Sequence, residues 1–413
     1  MDTKSFGDEA VVESKENISN ETDFHTPIEG GFVTDLNRVS HKYFLTKYFI
    51  GTYAAICLSG YSGACAFAYA APILGVINAD IGPTKNYVWI SYVNSTSMAV
   101  TYPLLGRLSD IFGRRYFFIG GAIFSVIGST IASRSQSIPE LIGANVFLGI
   151  GSATQLSFGF VVGELVPQKY RYVACGGTLL VALPAAGFCP MISRIFIERY
   201  PEVSWRGPYY TLIGVNMLCL ILWTCFYYPP TFHEKHSRAT KLKYVKSFDY
   251  IGAFLLTGGF VTFLFGLSSG GTQWPWKSAP PIVMIVIGIL TLTCLVAWQM
   301  KRPTPQSIIP LHIVKHGDWI SASLITGLSP SLYYSATLVW PLQVDVLYAE
   351  GRPVYGGFLS GLPGLGTALG MLCAGAVVRY VPKHKIMILC CVIISATLTA
   401  CKLSFPETSH TAR

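Results

Sequence analysis

The sequence predicts an all-α integral membrane protein, and two observations carry this prediction. Of the 413 residues, 51% are hydrophobic and 12% are charged, whereas a soluble domain carries about 25% charged residues. The apolar residues also fall in long runs of the length that crosses a bilayer core, and they lack the amphipathic spacing of soluble helices. The lipid bilayer is therefore the expected surrounding of the folded chain.

Windows of about twenty apolar residues predict about eleven membrane-spanning helices. Their expected ranges are 48–74, 87–106, 116–133, 139–162, 173–193, 208–228, 250–268, 280–299, 318–344, 355–378 and 386–403. Several runs contain proline, which neighbouring helices tolerate in membranes and which transporters often place along a substrate path. A polytopic transporter is the function class that this pattern favours.

The loops between these helices predict the organisation of the chain. The expected segments are a disordered cytoplasmic tail at 1–47, a first bundle at 48–228, a basic linker at 229–249, a pair of extra helices at 250–299, an incomplete C-terminal bundle at 300–405 and an atypical tail at 406–413. About two thirds of the 30 lysines and arginines lie on the side of the N-terminus, which places that terminus in the cytoplasm. We expect the plasma membrane, with the vacuolar membrane as the alternative.

Composition and spacing argue against several other function classes. The net charge of +9 is spread over short loops, which does not favour a nucleic-acid partner. The eleven cysteines form no CxxC pair and lie in apolar runs, so neither a metal nor a disulfide framework is expected. The segment 270–278 lacks the glycine and context of a nucleotide-binding loop, and no catalytic constellation lies within the spans. We therefore expect no enzyme, cofactor or nucleotide, and an ion gradient, of protons, as the energy source.

The strongest motif lies between the second and third expected helices. It reads Gly106-Arg107-Leu108-Ser109-Asp110-Ile111-Phe112-Gly113-Arg114-Arg115. A tight hairpin between spans needs glycines for the turn, a carboxylate that accepts charge-assisted bonds and cations at the cytoplasmic face. The segment resembles the signature loop of the major facilitator superfamily. That resemblance implies a two-bundle fold in which Asp110 and Arg114 join a charge network between the bundles; the alternative is that the arginines only fix topology.

Further stretches resemble one branch of that superfamily, the fungal trichothecene efflux pump family, which is related to siderophore transporters. They are 77–83, 155–158, 163–167 and 228–232. The resemblance implies about fourteen helices and alternating access around a midplane site. It also implies proton-coupled efflux of a hydrophobic small molecule such as a mycotoxin, drug or secondary metabolite.

Two departures from that family affect the expected function. Cys189 precedes Pro190 where the family has a glycine, which weakens the inference of antiport. The eleventh predicted helix is the last one, so we expect a C-terminally truncated product. Uptake of a ferric siderophore, and a non-transporting membrane sensor or inactive truncated product, are the alternative functions.

Ionisable groups inside a membrane are costly, so each is a candidate for function. Asp345 and Glu164 are the candidate proton carriers. The alternative for Asp345 is a solvated helix end, and the alternative for Glu164 is an ion pair with Arg171 or a signature-loop arginine.

Polar, aromatic and proline positions could line a substrate path. These candidates are Asn94, Asn145, Gln155, Pro184, Pro190, Asn216, Tyr333, Tyr334, Trp340 and Gln343. The alternatives are hydrogen bonds between helices for the amides and an interfacial belt for the aromatic residues. The tenth expected helix also carries Gly357, Gly361, Gly364, Gly366 and Gly370, whose small-xxx-small spacing predicts packing and hinge positions.

Overall fold

The long elements of the part of the chain that the structure describes are α-helices. The computed structural model describes residues 41–229, 248–271, 273–301, 317–348 and 351–378, with a few positions between 386 and 397. The helices are α1 Lys47–Ala70, α2 Leu74–Ile81, α3 Trp89–Phe112, α4 Arg114–Arg134, α5 Ile138–Leu156, α6 Phe158–Leu165, α7 Arg171–Arg199, α8 Gly207–Phe226, α9 Tyr250–Ser269, α10 Ala279–Lys301, α11 Gly317–Leu347 and α12 Pro353–Val378.

The predicted helical membrane fold is confirmed. Among the described residues, seven helical segments are long and apolar enough to cross a membrane, by length and composition. The count of about eleven spans stays a prediction, because most of the expected helix at 386–403 lies outside the described residues. The tail before residue 41 and the linkers at 230–247 and 302–316 also lie outside them, so the predicted segment boundaries remain predictions.

The expected hairpin at 106–115 is mostly helix, which corrects the sequence-based boundary. Helix α3 continues to Phe112, and α4 begins at Arg114. The reversal takes place at Gly113 alone, whose φ of 97° is accessible to glycine and disfavoured for other residues. The motif therefore needs one glycine for its turn, and Asp110 belongs to a helix.

Two other predicted spans contain breaks. The first continues beyond α1 through a 3-10 turn at Ala71–Ile73 into α2. The fourth is divided at Ser157, which separates α5 from α6 and whose hydroxyl donates to the carbonyl of Ala153. Pro72 lies in the 3-10 turn and accounts for the first break, since proline cannot donate a helical hydrogen bond. The hydrogen bond from the Ser157 side chain to the backbone accounts for the second.

Helices α1 to α8, called here the first bundle, pack around two buried clusters. The end that carries Gly113 is called the signature end, and the opposite end is called the far end. The far-end cluster includes Cys65, Tyr69, Ile77, Leu141, Trp205 and Tyr209. The signature-end cluster includes Ile56, Phe118, Val162, Trp223 and Tyr227. Small residues allow the close contact, since a β-carbon at Gly128 of α4 would lie 2.8 Å from the Leu148 nitrogen of α5.

The later helices, α9 to α12, form two pairs. In the first pair, a β-carbon at Gly266 of α9 would lie 2.9 Å from the Ile285 nitrogen of α10. In the second pair, the indole nitrogen of Trp340 on α11 donates to the Leu359 carbonyl of α12 at 2.7 Å. The Trp89 and Phe265 rings, 4.6 Å apart, join α3 to α9 at the far end.

Candidate functional site

At the signature end, Arg114 connects the start of α4 to α6. Its guanidinium lies 3.2 Å from the Glu164 carboxylate and donates to the Phe160 carbonyl at 3.0 Å. Arg171 donates to the Gly163 carbonyl at 2.6 Å, near the same helix end. Cations are stabilised at helix C-termini, where carbonyl groups lack partners. The sequence-based alternative of an ion pair between Glu164 and a signature-loop arginine is thus present in the structure.

Arg115 connects the start of α4 to the end of α8, as Arg114 connects it to α6. It donates to the Thr224 carbonyl at 2.9 Å, and its guanidinium lies 3.7 Å from the centre of the Tyr228 ring. Stacking of a cation on an aromatic face adds to the hydrogen bond. The side chains of Arg107 and Asp110 lie outside the described part of the chain, so a charge network between bundles remains a prediction.

The candidate amides of the first bundle lie in its interior. The Asn216 side-chain oxygen accepts a hydrogen bond from Ser62 Oγ and another from Gln155 Nε2, both at 2.7 Å. This network joins α1, α5 and α8, and all three side chains are buried. Asn145 donates to the Leu141 carbonyl of its own helix at 2.8 Å. Asn94 is buried, and its Nδ2 has no acceptor among the described residues.

A charged pair links the first bundle to the later helices at the far end. Arg194 of α7 forms an ion pair with Asp345 of α11, and it also donates to the Pro72 carbonyl at 3.2 Å. The Arg194 side chain is 12% exposed and that of Asp345 is 36% exposed. Asp345 is therefore held by a specific partner, and part of its side chain remains exposed.

Aromatic side chains meet between the same two groups of helices. The rings of Phe67 on α1 and Tyr334 on α11 make an edge contact with centroids 5.1 Å apart. Tyr333 adjoins Tyr334, with ring centroids 5.4 Å apart. These rings could receive a hydrophobic molecule between the bundles.

The remaining substrate-path candidates have different surroundings. Trp340 is bonded to α12 as described above, and Gln343 is exposed. Pro184 is exposed and Pro190 is buried, both within α7. Their roles stay predictions.

Helices α7 and α12 touch through their backbones, in a contact that we call the glycine seam. A β-carbon at Gly361 would overlap the Gly187 carbonyl oxygen, and one at Gly364 would overlap that of Ala186. At Gly357 it would lie 2.9 Å from the Met191 α-carbon. Gly366 and Gly370 lie on another face of the same helix and have open space at the β-carbon position.

The sequence reasoning missed Arg194 and Phe67. Arg194 lies just beyond the expected helix at 173–193, whereas α7 runs to Arg199. An arginine that follows Pro190 by one helical turn inside an apolar run is the signal that could have found it. Phe67 carries no such signal, because aromatic residues are common throughout membrane helices.

The fold and these contacts define a helical membrane protein in which two groups of helices meet through an ion pair, an edge contact between aromatic rings and a glycine seam. Residues 25–405 match the family described as "Fungal trichothecene efflux pump (TRI12)". The chain belongs to that family, and the resemblance seen in the sequence is confirmed.

Individual relatives agree with the family match. The chain is 28% identical over 351 residues to the "Trichothecene efflux pump TRI12" of Trichoderma arundinaceum, covering 83% of this chain and 57% of the relative. It is 25% identical over 356 residues to the pump of the same name in Fusarium sporotrichioides, covering 84% and 58%. The chain thus spans a little over half the length of these relatives.

Among solved structures, the chain is similar to the xylose transporter XylE from E. coli in a partially occluded inward open conformation. The TM-score is 0.43 at 13% identity, and the match covers 80% of this chain and 88% of that chain.

Proposed function

We propose that this chain carries out proton-coupled efflux of a hydrophobic small molecule by alternating access, in the plasma membrane and with a cytoplasmic N-terminus. Family membership supports transport rather than catalysis, and the relatives' names favour a trichothecene or a similar toxin as the substrate. The signature end would then face the cytoplasm and the far end would face outward.

The observation that carries the proposal is the Arg194–Asp345 ion pair. Coupling requires a group whose protonation changes the balance between two conformations. Asp345 belongs to a helix of the later group and is paired with a helix of the first bundle. Protonation of Asp345 would remove its charge and weaken that link. We therefore propose Asp345 as the proton carrier, in preference to Glu164, whose described ion-pair partner Arg114 lies within the first bundle.

The substrate would lie between the two groups of helices. Phe67 and Tyr334 are in contact across this boundary, and Tyr333 lies beside Tyr334. A hydrophobic molecule that separates these rings would exchange ring contacts for substrate contacts, at little cost in free energy.

The test uses cells that lack their own drug pumps. We expect cells expressing the chain to accumulate less of a labelled trichothecene than control cells, and a protonophore to abolish the difference. Asp345→Asn should abolish it too. Asp318→Asn is the matched control, because Asp318 is an exposed acid at the other end of the same helix.

Other outcomes would contradict the proposal. Restored growth on a ferric siderophore, without reduced toxin accumulation, would assign uptake to the chain. No effect in either assay, with the chain present in the membrane, would favour the sensor or inactive product.

A further inference from the structure

The structure assigns Cys65 and Cys189 as a site of oxidative modification, at which two thiols of the first bundle join in a disulfide between α1 and α7. Their sulfur atoms lie 3.4 Å apart, and both side chains are 0% exposed. The two cysteines are 124 positions apart, so local CxxC spacing could not pair them. Both belong to the first bundle, so the site has a meaning whether or not the chain exports a toxin.

Helices α1 and α7 hold the two sulfur atoms in register. Toward the signature end, the Tyr53 hydroxyl donates to the Ala174 carbonyl at 2.8 Å. One helical turn beyond the cysteines, toward the far end, Ser193 Oγ donates to the Tyr69 carbonyl at 3.0 Å. The residue numbers of the partners rise together, which shows that the two helices run parallel. Because hydrogen bonds fix the helices on both sides of the pair, the fold itself keeps the thiols in contact.

Helix α7 can supply the movement that the bond requires. A disulfide holds its sulfur atoms about 2.0 Å apart, so the two must approach by about 1.4 Å. Pro190 lies inside α7 directly after Cys189 and has no N–H group for the Ala186 carbonyl. Helices bend at such positions. A small bend at Pro190 and rotation of the two side chains can therefore share the approach.

Burial decides which oxidant suits this site. The pair lies in the far-end cluster among apolar and aromatic side chains such as Ile73, Leu141 and Trp205. Glutathione is large and charged and is excluded from such surroundings, whereas hydrogen peroxide is neutral and close to water in size. Thiols in apolar surroundings react slowly. The first oxidation is therefore the slow step, and a bond once formed is protected from reduction by soluble thiols.

The reaction with hydrogen peroxide takes two balanced steps. The peroxide transfers one oxygen atom to the first thiol, which becomes a sulfenic acid, and its other oxygen leaves as water. The second sulfur then attacks the sulfenic sulfur and the S–O bond breaks. The hydroxyl group leaves as a second water with the proton of the attacking thiol. The two sulfur atoms lose two electrons in all, and the peroxide gains them.

The second of these steps distinguishes the pair from another buried cysteine between the same helices. Cys57 of α1 lies 3.9 Å from Thr178 Oγ1 of α7, and a hydroxyl group cannot complete a disulfide. Cys65 has the thiol of Cys189 in contact instead. Oxidation is therefore expected to link Cys65 to Cys189 and to leave Cys57 without a bond to α7.

The expected consequence is a more stable first bundle. A bond between positions 65 and 189 closes a loop of 124 residues, and closing a long loop restricts the unfolded chain. The later helices carry neither cysteine, so the bond does not tie them to the first bundle. Oxidation should therefore raise the melting temperature of the chain.

The experiment detects the bond directly, in the purified full chain in detergent micelles. The chain is treated with hydrogen peroxide, its remaining thiols are alkylated after denaturation, and its peptides are analysed by mass spectrometry without reductant. We expect a linked pair of peptides that contains positions 65 and 189, has lost two hydrogen atoms and separates on reduction. The oxidised chain should also melt about 5 °C or more above the reduced chain.

Matched variants assign the bond and the shift to these two residues. Cys65→Ala and Cys189→Gly should each abolish the linked peptides and the rise in melting temperature. Cys57→Ala is the control, because Cys57 is also buried between α1 and α7 but contacts a hydroxyl group. This variant should keep both the linked peptides and the rise.

The exposed thiol of Cys225 reports that the oxidant has acted. Oxidised Cys225 without linked peptides from positions 65 and 189 would overturn the assignment, and this result needs no variant that folds. A peptide that joins either residue to a different cysteine would overturn it too, as would a rise in melting temperature that Cys189→Gly retains. Toxin movement is not measured in any of these steps, so a failure of the proposed efflux leaves the result unchanged.

Discussion

Asn216 accepts two hydrogen bonds in the interior of the first bundle, so Asn216→Leu tests whether this residue holds helices together or contacts substrate. The substitution keeps similar bulk and removes the acceptor shared by Ser62 and Gln155. Both donors would stay buried, since Ser62 is 0% exposed and Gln155 is 1% exposed.

The expected loss follows from two kinds of measurement. A buried donor left without an acceptor costs about 1–3 kcal/mol, whereas hydrogen bonds between membrane helices average about 0.6 kcal/mol. Two hydrogen bonds of the strength measured between membrane helices therefore set a lower bound of about 1 kcal/mol on the loss of unfolding free energy. Ser62 can turn to a carbonyl of its own helix, which recovers part of the loss. We expect Asn216→Leu to lower the free energy of unfolding by about 2 kcal/mol.

The assay is equilibrium unfolding of the purified chain in mixed detergent micelles, followed by circular dichroism. Two comparisons sharpen it. The double variant Gln155→Leu with Asn216→Leu should lose less free energy of unfolding than the two single variants lose in sum, because donor and acceptor are removed together. Asn94→Leu should cost less than Asn216→Leu, since the Asn94 Nδ2 has no acceptor among the described residues.

The refuting result is a separation of stability from transport. If Asn216→Leu leaves the free energy of unfolding unchanged but raises the KM for a toxin tenfold, Asn216 contacts substrate and the structural role is wrong.

The remaining predictions concern the signature end. Glu164→Gln should lower the free energy of unfolding by only about 0.5–1 kcal/mol, because the Glu164 carboxylate and the Arg114 guanidinium are both partly exposed. Toxin export by this variant should keep its dependence on the proton gradient. If that dependence is lost, Glu164 is a proton carrier. Tyr43→Phe removes a 3.1 Å bond to the Leu165 carbonyl and should cost about 1 kcal/mol in chemical unfolding. Burial raises the pKa of Tyr43 to about 12, so its protonated form stabilises the fold below about pH 10 and this contribution is lost as the pH rises toward that raised value. Melting temperatures measured across that range should fall more steeply for the wild type than for Tyr43→Phe, and parallel curves would contradict the assignment.

The membrane fold could be predicted because its signal is local. A run of apolar residues predicts a span wherever it packs, and the bounds of α9 and α10 agree with prediction to within two residues. The signature segment was identified by its residues, but its boundary was wrong. A helix that continues to Phe112 and turns at Gly113 cannot be distinguished by composition from a longer loop.

Contacts between distant residues could not be predicted in the same way. Arg194 and Asp345 are 151 positions apart, and nothing in either local sequence selects the other as a partner. The glycines of α12 show the same limit. Their spacing places Gly357, Gly361 and Gly364 on one face of α12 and Gly366 and Gly370 on another. Only the packing of α12 on α7 decides which of these two faces meets a backbone.

Substrate movement under an imposed proton gradient tests the central claim most directly. The purified chain is reconstituted in liposomes with one orientation, and a labelled trichothecene is supplied on the side of the signature end. Acidifying the far-end compartment should drive the toxin into it, and reversing the gradient should reverse the movement. Toxin movement that is absent, or that is the same under both gradients, would contradict proton-coupled efflux by this chain.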